Sequence, residues 1–224
     1  DWETIIDAIR EENDGVYNVG DTKEIDLGSY GKHTLRIANK STPSECSNTN
    51  FSQGACGFVL EFVDIITLHK MNDTAINVGG WPATSMRTFV NNDIYNAIPN
   101  EIKKVIIDTT TMSGHGSTTK ETNFISTDKL YFLSGKEIYS DFNSEYDTAK
   151  TLTRQLDYYA NNGITTSNSA GTIKKYQTTA KCWWLRTASS TTNFSFHVML
   201  NIGGWNYAAS GDNNCGVSPA FRIG

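Results

Sequence analysis

The C-terminal quarter constrains this chain most. Trp183-Trp184-Leu185, Phe194–Leu200, Asn206–Ala209 and Val217–Ile223 are short apolar or alternating runs separated by clusters of glycine and asparagine. Period-two alternation between such turn residues predicts strands of an antiparallel sheet, too closely spaced to leave room for crossover helices.

The rest of the chain is mixed. Trp2, Ile5, Ile6 and Ile9 fall at helical spacing, and Gly15 marks a stop. Val16–Leu27 predicts a hairpin around Gly20-Asp21, His33–Ala38 a strand, and Gly57–Met71 a long strand or strand pair. Ser85 is the expected N-cap of a helix carrying Met86, Phe89, Val90, Ile94, Tyr95 and Ile98, ended by Pro99. Asn100 opens a second helix with Ile102, Val105 and Ile106 inward, and Thr109–Thr122 reads as a polar loop. Leu130–Leu133 is a short buried strand, Ser134 and Glu137 are spaced as a capping box, and Leu152, Leu156 and Tyr159 mark a helix closed near Gly163. The expected class is α+β, one domain over 1–224.

Composition removes several functions. Apolar residues make up 38% and charged residues 19%, which suits a packed core and not a disordered chain. The longest apolar stretch, Phe58–Leu68, is broken by Glu61 and Asp64, well short of the roughly 18 residues that span a bilayer. Net charge is −5 and the lysines are scattered, so the basic stripe needed for nucleic acid is missing. No membrane insertion and no nucleic-acid partner are expected. Cys46, Cys56, Cys182 and Cys215 allow three pairings, and free thiols remain an equal alternative. Cys46 and Cys56 flank a polar loop that a disulfide closes in an oxidising compartment.

Searches for chemistry return nothing. His33, His69, His115 and His197 are isolated, and no CxxC or HxH spacing offers a zinc site. Gly114–Lys120 lacks the spacing of a phosphate loop, and no Gly-x-Ser-x-Gly elbow exists. No catalytic residue, metal or cofactor is assigned. Asp212, with the amides of Asn213 and Asn214, offers oxygens to a hard cation but reads better as solvated loop.

The string Trp184-Leu185-Arg186-Thr187-Ala188-Ser189, followed by Phe196, Gly203 and Gly216-Val217-Ser218-Pro219-Ala220-Phe221, resembles the ending of a domain family in bacterial surface and prophage-encoded proteins. Trp2-x-x-Ile5, Val19-Gly20-Asp21, Gly79-Gly80-Trp81-x-x-x-Ser85-Met86-Arg87, Ile98-Pro99 and Leu133-Ser134 extend the resemblance over nearly the whole chain. That family is related to the C-type-lectin fold shared by formylglycine-generating enzymes and the variable proteins of diversity-generating retroelements. The resemblance implies a C-type-lectin-like domain in which 184–224 is a variable, ligand-displaying region. It implies a non-catalytic module binding a macromolecular ligand, a protein or surface glycan, outside the cell on a bacterial surface or phage virion. Two alternatives are an oxidase of the formylglycine-generating type, using Cys182 and Cys215, and a structural assembly domain. The calcium-binding strings of sugar-binding C-type lectins are absent.

Within that picture Trp184, Leu185, Arg186, Phe196, Gly203, Val217, Pro219, Ala220 and Phe221 are scaffold. The expected ligand-binding residues are Thr192, Phe194, Ser195, His197, Met199, Asn201, Ile202, Trp205, Asn206, Tyr207, Asp212, Asn213 and Asn214. Aromatics give rigid contact area and amides give adaptable hydrogen bonds, the mixture of a recognition surface. Trp205 and Tyr207, then Phe194, are the expected anchors.

Overall fold

A computed structural model describes residues 2–11, 14–117 and 122–224, with the side chains of all but Ile6, Ile9, Arg10 and Asp14. Helix α1 (Trp2–Arg10) precedes β1 (Thr22–Asp26), β2 (Lys32–Asn39), β3 (Val59–Phe62) and β4 (Thr67–His69). Next come α2 (Ser85–Phe89), a π-helical segment (Val90–Ile94) and α3 (Tyr95–Ala97), continuous as one rod, and then α4 (Asn100–Lys103). Strands β5 (Ile106–Ile107), β6 (Thr109–Ser113) and β7 (Phe124–Asp128) lead to α5 (Gly135–Ile138) and α6 (Asp157–Asn161). The chain closes with β8 (Lys174–Tyr176), β9 (Thr179–Lys181), β10 (Trp183–Ala188), β11 (Ser195–Met199), β12 (Trp205–Ala209), β13 (Cys215–Val217) and β14 (Ala220–Ile223). The fold is therefore α+β, with few and short helices.

Two five-stranded sheets form the frame, in the orders β1-β2-β3-β14-β5 and β12-β11-β10-β13-β4. The first is antiparallel throughout. The second departs from the expected antiparallel sheet, because β10 and β13 run parallel with a single pair in register, Trp183 and Gly216. Two of the passages between the sheets are short, from β3 to β4 and from β13 to β14. Val217–Ile223, expected as one strand, is thus split at Ser218-Pro219, where proline cannot donate to a ladder. Gly57–Met71 is split likewise, and its halves β3 and β4 belong to different sheets.

A buried ionic cluster sits at these crossings. Glu61 is completely buried and accepts hydrogen bonds from Arg36 (2.7 Å), Lys174 (2.9 Å) and Tyr159 (2.9 Å). The Lys174 ammonium also donates to the Phe62 carbonyl and the Ser218 hydroxyl, so its three protons are all used. Ser218 in turn directs its single hydroxyl proton between the Phe62 and Asp64 carbonyls. The flanking cations hold the Glu61 carboxyl down at about 2 against the penalty of burial.

Strands β10, β11 and β13 of the second sheet are buried along their whole length. Trp184, Phe196, Val198 and Val217 join a core with Leu35, Phe62, Trp81, Met86, Val90 and Ile94. Trp183, Leu185 and Met199 face a second core made by Tyr131, Leu133, Ile138, Tyr139 and Phe142. The Arg186 amide donates to the Leu133 carbonyl, and the Arg186 side chain enters a second buried ionic contact. Arg186 and Glu137 are wholly shielded and paired through two hydrogen bonds. The guanidinium spends its other donors on the Met112 and Phe132 carbonyls and the Ser52 hydroxyl. Glu137 also accepts from the Ser134 amide, the expected reach back across the first turn of α5, and from Thr153.

Several local expectations are corrected. The N-terminal hairpin closes at Gly28–Tyr30 between β1 and β2, not at Gly20-Asp21. Gly20 instead has φ +99° and donates its N–H to Ile37. The N-cap of α2 is Thr84, whose hydroxyl accepts from the Arg87 amide. Val105 precedes β5 and Ile106 is in it, so both lie beyond α4. The polar stretch from Thr109 is strand β6 paired with β7, a threonine-rich hairpin; residues 118–121 of that stretch lie outside the described residues. Leu130–Leu133 forms one isolated bridge, Tyr131 with Ala220, and not a strand. The helix expected around 152–159 is a 3-10 turn (Lys150–Leu152) followed by α6. The β8–β9 hairpin was not anticipated. Of the predicted inward residues of α1, Trp2 is buried, and the side chains of Ile6 and Ile9 lie outside those described.

Both disulfides are formed, Cys46–Cys56 and Cys182–Cys215. The second spans 33 residues and staples the entry of β10 to β13, the strand pair with least register. Chain-entropy reasoning puts its contribution at about 4 kcal/mol. A Cys182→Ser/Cys215→Ser variant should lose that much in urea unfolding. Replacing Glu137 by glutamine strands a buried guanidinium charge and should cost about 3–5 kcal/mol, seen as a large drop in Tm. An unchanged Tm in Glu137→Gln would remove this pair from its central place.

Candidate functional site

Strand β12 is one edge of the second sheet, opposite β4, and its register to β11 decides which side chains are available. Trp205, Tyr207 and Ala209 lie on the same face as their partners Met199, His197 and Ser195. Phe142 and Tyr146, from the segment that follows α5, cover this face. Phe142 meets Trp205 edge-on at 5.1 Å, and Tyr146 meets Tyr207 edge-on at 6.2 Å. The other face of β11, Phe196 and Val198, lies in the core.

Ser195, His197 and Met199 are consequently buried and cannot touch a ligand. Alternation predicts one buried face for a half-covered strand, whereas β11 has core on both sides. Thr192 is half-buried and acts within its turn: its hydroxyl accepts from the Ser195 amide and its carbonyl from Asn77. The Asn77 amide also donates to the Ser189 and Ser195 carbonyls, pinning 189–195 to the 72–78 loop.

The remaining predicted residues come together along one rim. Phe194 (41% exposed), Tyr207 (44%) and Ile202 (74%) project outward, with Asn201, Asn206, Asp212, Asn213 and Asn214 also exposed and Trp205 half-buried. Exposed Ile76 and Val78 flank Asn77 beside Phe194 and were not anticipated. Gly203 and Gly204 both hold φ near +83°, and a side chain at Gly203 would strike the Ser169 carbonyl, so this turn demands glycine. Gly79 and Gly80 show the same device before Trp81, giving the repeated Gly-Gly-Trp a shared conformational basis.

The edge offers side chains more than backbone. Leu200 donates to Gly204 and Ser210 to Phe194, so the amides and carbonyls of Trp205, Tyr207 and Ala209 point away from β11. The outward Tyr207 N–H is taken by the Asn206 side chain at 2.8 Å, and the outward Ala209 carbonyl by both Asn213 nitrogens. These two caps blunt part of an edge that would otherwise invite strand addition.

An open cleft of about 450 Å³ lies beside Trp205, walled by Asn143, Ser144, Glu145, Tyr146 and Lys150. The polar 143–150 turn carries no periodic signal, so sequence reasoning missed it; only its tyrosine in a hydrophilic run hinted at a contact surface. A larger hollow of about 600 Å³ lies between α1 and β1–β3. Its walls include core residues Trp2, Leu35, Ile37, Phe58 and Leu60 together with Asp21, Thr22 and Lys23. Among the described residues no three His, Cys, Asp or Glu side chains converge as metal ligands. No described helix is long and apolar enough to cross a membrane.

His197 is the unusual group beneath this surface. Its ring lies 5.1 Å from Trp205 and 6.1 Å from Phe142, and neither nitrogen has a hydrogen-bond partner. Burial alone pushes its pKa down to about 3. The unfolded chain takes up a proton near pH 6.5 and the folded one does not, so stability falls as pH drops below 6.5. The loss attributable to His197 should reach about 2 kcal/mol at pH 5. Urea titrations at pH 7 and pH 5 check this: a His197→Phe variant should lose correspondingly less than the parent, and equal losses would refute the assignment.

Residues 59–224 match the sequence profile of a family described as a domain of unknown function, DUF6273. No curated protein and no solved structure matches the chain. The matched stretch contains all of the second sheet and the whole β12 rim, and covers about three quarters of the sequence, so the chain belongs to the DUF6273 family.

Proposed function

We propose that the chain is a non-catalytic recognition module of C-type-lectin fold, holding a macromolecular ligand through β12 and its flanking turns. The observation that carries this reading is the exposed rim itself. Aromatic and amide side chains from 194–214 share one edge with Tyr146, Ile76 and Val78, while the strands behind them are fixed by buried ion pairs and a disulfide. Such a division lets outward residues change without unfolding the frame, as the variable proteins of diversity-generating retroelements require. The partly blunted strand edge favours recognition through side chains. Two disulfides are compatible with an extracellular setting, on a phage or a bacterial surface.

Observed pairing weighs against the oxidase alternative, since Cys182 and Cys215 are bonded to each other and neither offers a thiolate. An assembly role predicts instead that the rim is covered by another copy.

Tyr207→Ala, Asn206→Ala and Ile202→Ala alter exposed groups and should each change stability by about 1 kcal/mol or less. Combined, they should abolish retention of the fluorescently labelled protein on intact bacterial cells, measured by flow cytometry, with Tm nearly unchanged. Trp205→Ala should also lose retention but at a cost in Tm, because its ring packs on Phe142 and His197. Undiminished retention by the folded triple variant overturns the proposal, and a fall in mass by light scattering in that variant points to assembly. An adenine-mutated near-duplicate of the 184–224 coding region in flanking DNA would identify the retroelement system.

A further inference from the structure

The cleft beside Trp205 combines an aromatic wall with two charges of opposite sign. Trp205 and Tyr146 line it together, and Glu145 and Lys150 stand on its polar walls. The orientation of Trp205 is fixed from behind, by Phe142 edge-on and by the tilted ring of His197. Held neutral by burial, His197 places no positive charge beneath the indole. Trp205 is partly exposed and lines the cleft, and the face of an indole is electron-rich, which attracts a cation. Among the described residues the Glu145 carboxylate makes no ion pair and is free to act as a counter-charge. Lys150 donates one proton to the Ser144 carbonyl at 2.9 Å, leaving two ammonium donors for an anionic group.

We infer that this cleft takes a compact zwitterion, an ammonium against Trp205, Tyr146 and Glu145 joined to a phosphate or carboxylate at Lys150. A ligand with a single charge would leave either Glu145 or Lys150 uncompensated, and a neutral one would use neither. The inference rests on the recognition reading above and adds the chemical class of the group recognised. The same chemistry is offered by a free small molecule and by a lipid headgroup.

The test titrates the full chain with phosphorylcholine and glycine betaine, following tryptophan emission. Choline, inorganic phosphate and maltose are the comparisons. Phosphorylcholine should give a saturable change that Trp205→Phe removes, with choline and phosphate each at least about tenfold weaker. Glu145→Gln and Lys150→Gln should each weaken it about tenfold at unchanged Tm, and added salt should weaken it further. Sedimentation with dioleoylphosphatidylcholine and dioleoylphosphatidylglycerol vesicles separates a headgroup source from a free one. Silence toward both zwitterions, equal binding of choline alone, binding of maltose, or indifference to Glu145→Gln would each overturn the inference. If the zwitterions fail while the triple rim variant still loses cell retention, the recognition reading stands and only the ligand class falls.

Discussion

The Arg186–Glu137 pair is the contact on which the rest of this molecule hangs. A fully buried guanidinium is tolerable only when every donor is satisfied, and Arg186 spends all five. Those partners come from five places in the chain: the loop closed by Cys46–Cys56, strand β6, the 130–134 segment, α5 and, through Glu137, Thr153. The pair fixes how the largely irregular segment from 130 to 164 lies over the second sheet. That segment then supplies Phe142 and Tyr146 behind and beside the β12 rim. Such a pair gains little net energy over apolar packing, but it penalises any arrangement that separates its members.

The Glu61 cluster does the same for the two short connections between the sheets, from β3 to β4 and from β13 to β14. Its cations arrive from β2 and β8, and its hydroxyl partner Ser218 lies at the break between β13 and β14. With the Cys182–Cys215 link, these contacts leave β12 as the one strand of the second sheet with a substantially exposed surface. Rigidity behind and exposure in front are properties of one construction, and the proposed recognition role draws on both.

Much of this was legible beforehand. The short C-terminal runs between glycine and asparagine clusters predicted β10, β11 and β12 closely, because turn residues bound each strand whether one face or both are covered. Trp184, Leu185, Phe196, Val217 and Phe221 were recognisable as scaffold by their apolar character, and Ser134 and Glu137 by their spacing. Arg186 was placed with the scaffold on its position in the motif, though nothing in its own chemistry announced a buried partner 49 residues away. The Thr109–Ser113 strand was hidden, since its threonines read as polar loop until a partner strand completes their backbone bonds.

What the sequence determined by itself is local: where most strands and turns fall, and that polar and aromatic groups cluster near the C-terminus. Only the tertiary structure decided that His197, Ser195 and Met199 face inward while Tyr207, Asn206 and Ile202 face out. The physical reason is that alternation tells two faces of a strand apart but not whether the second face is covered. That depends on the 130–164 segment, carried into place by an ion pair between residues far apart in the chain.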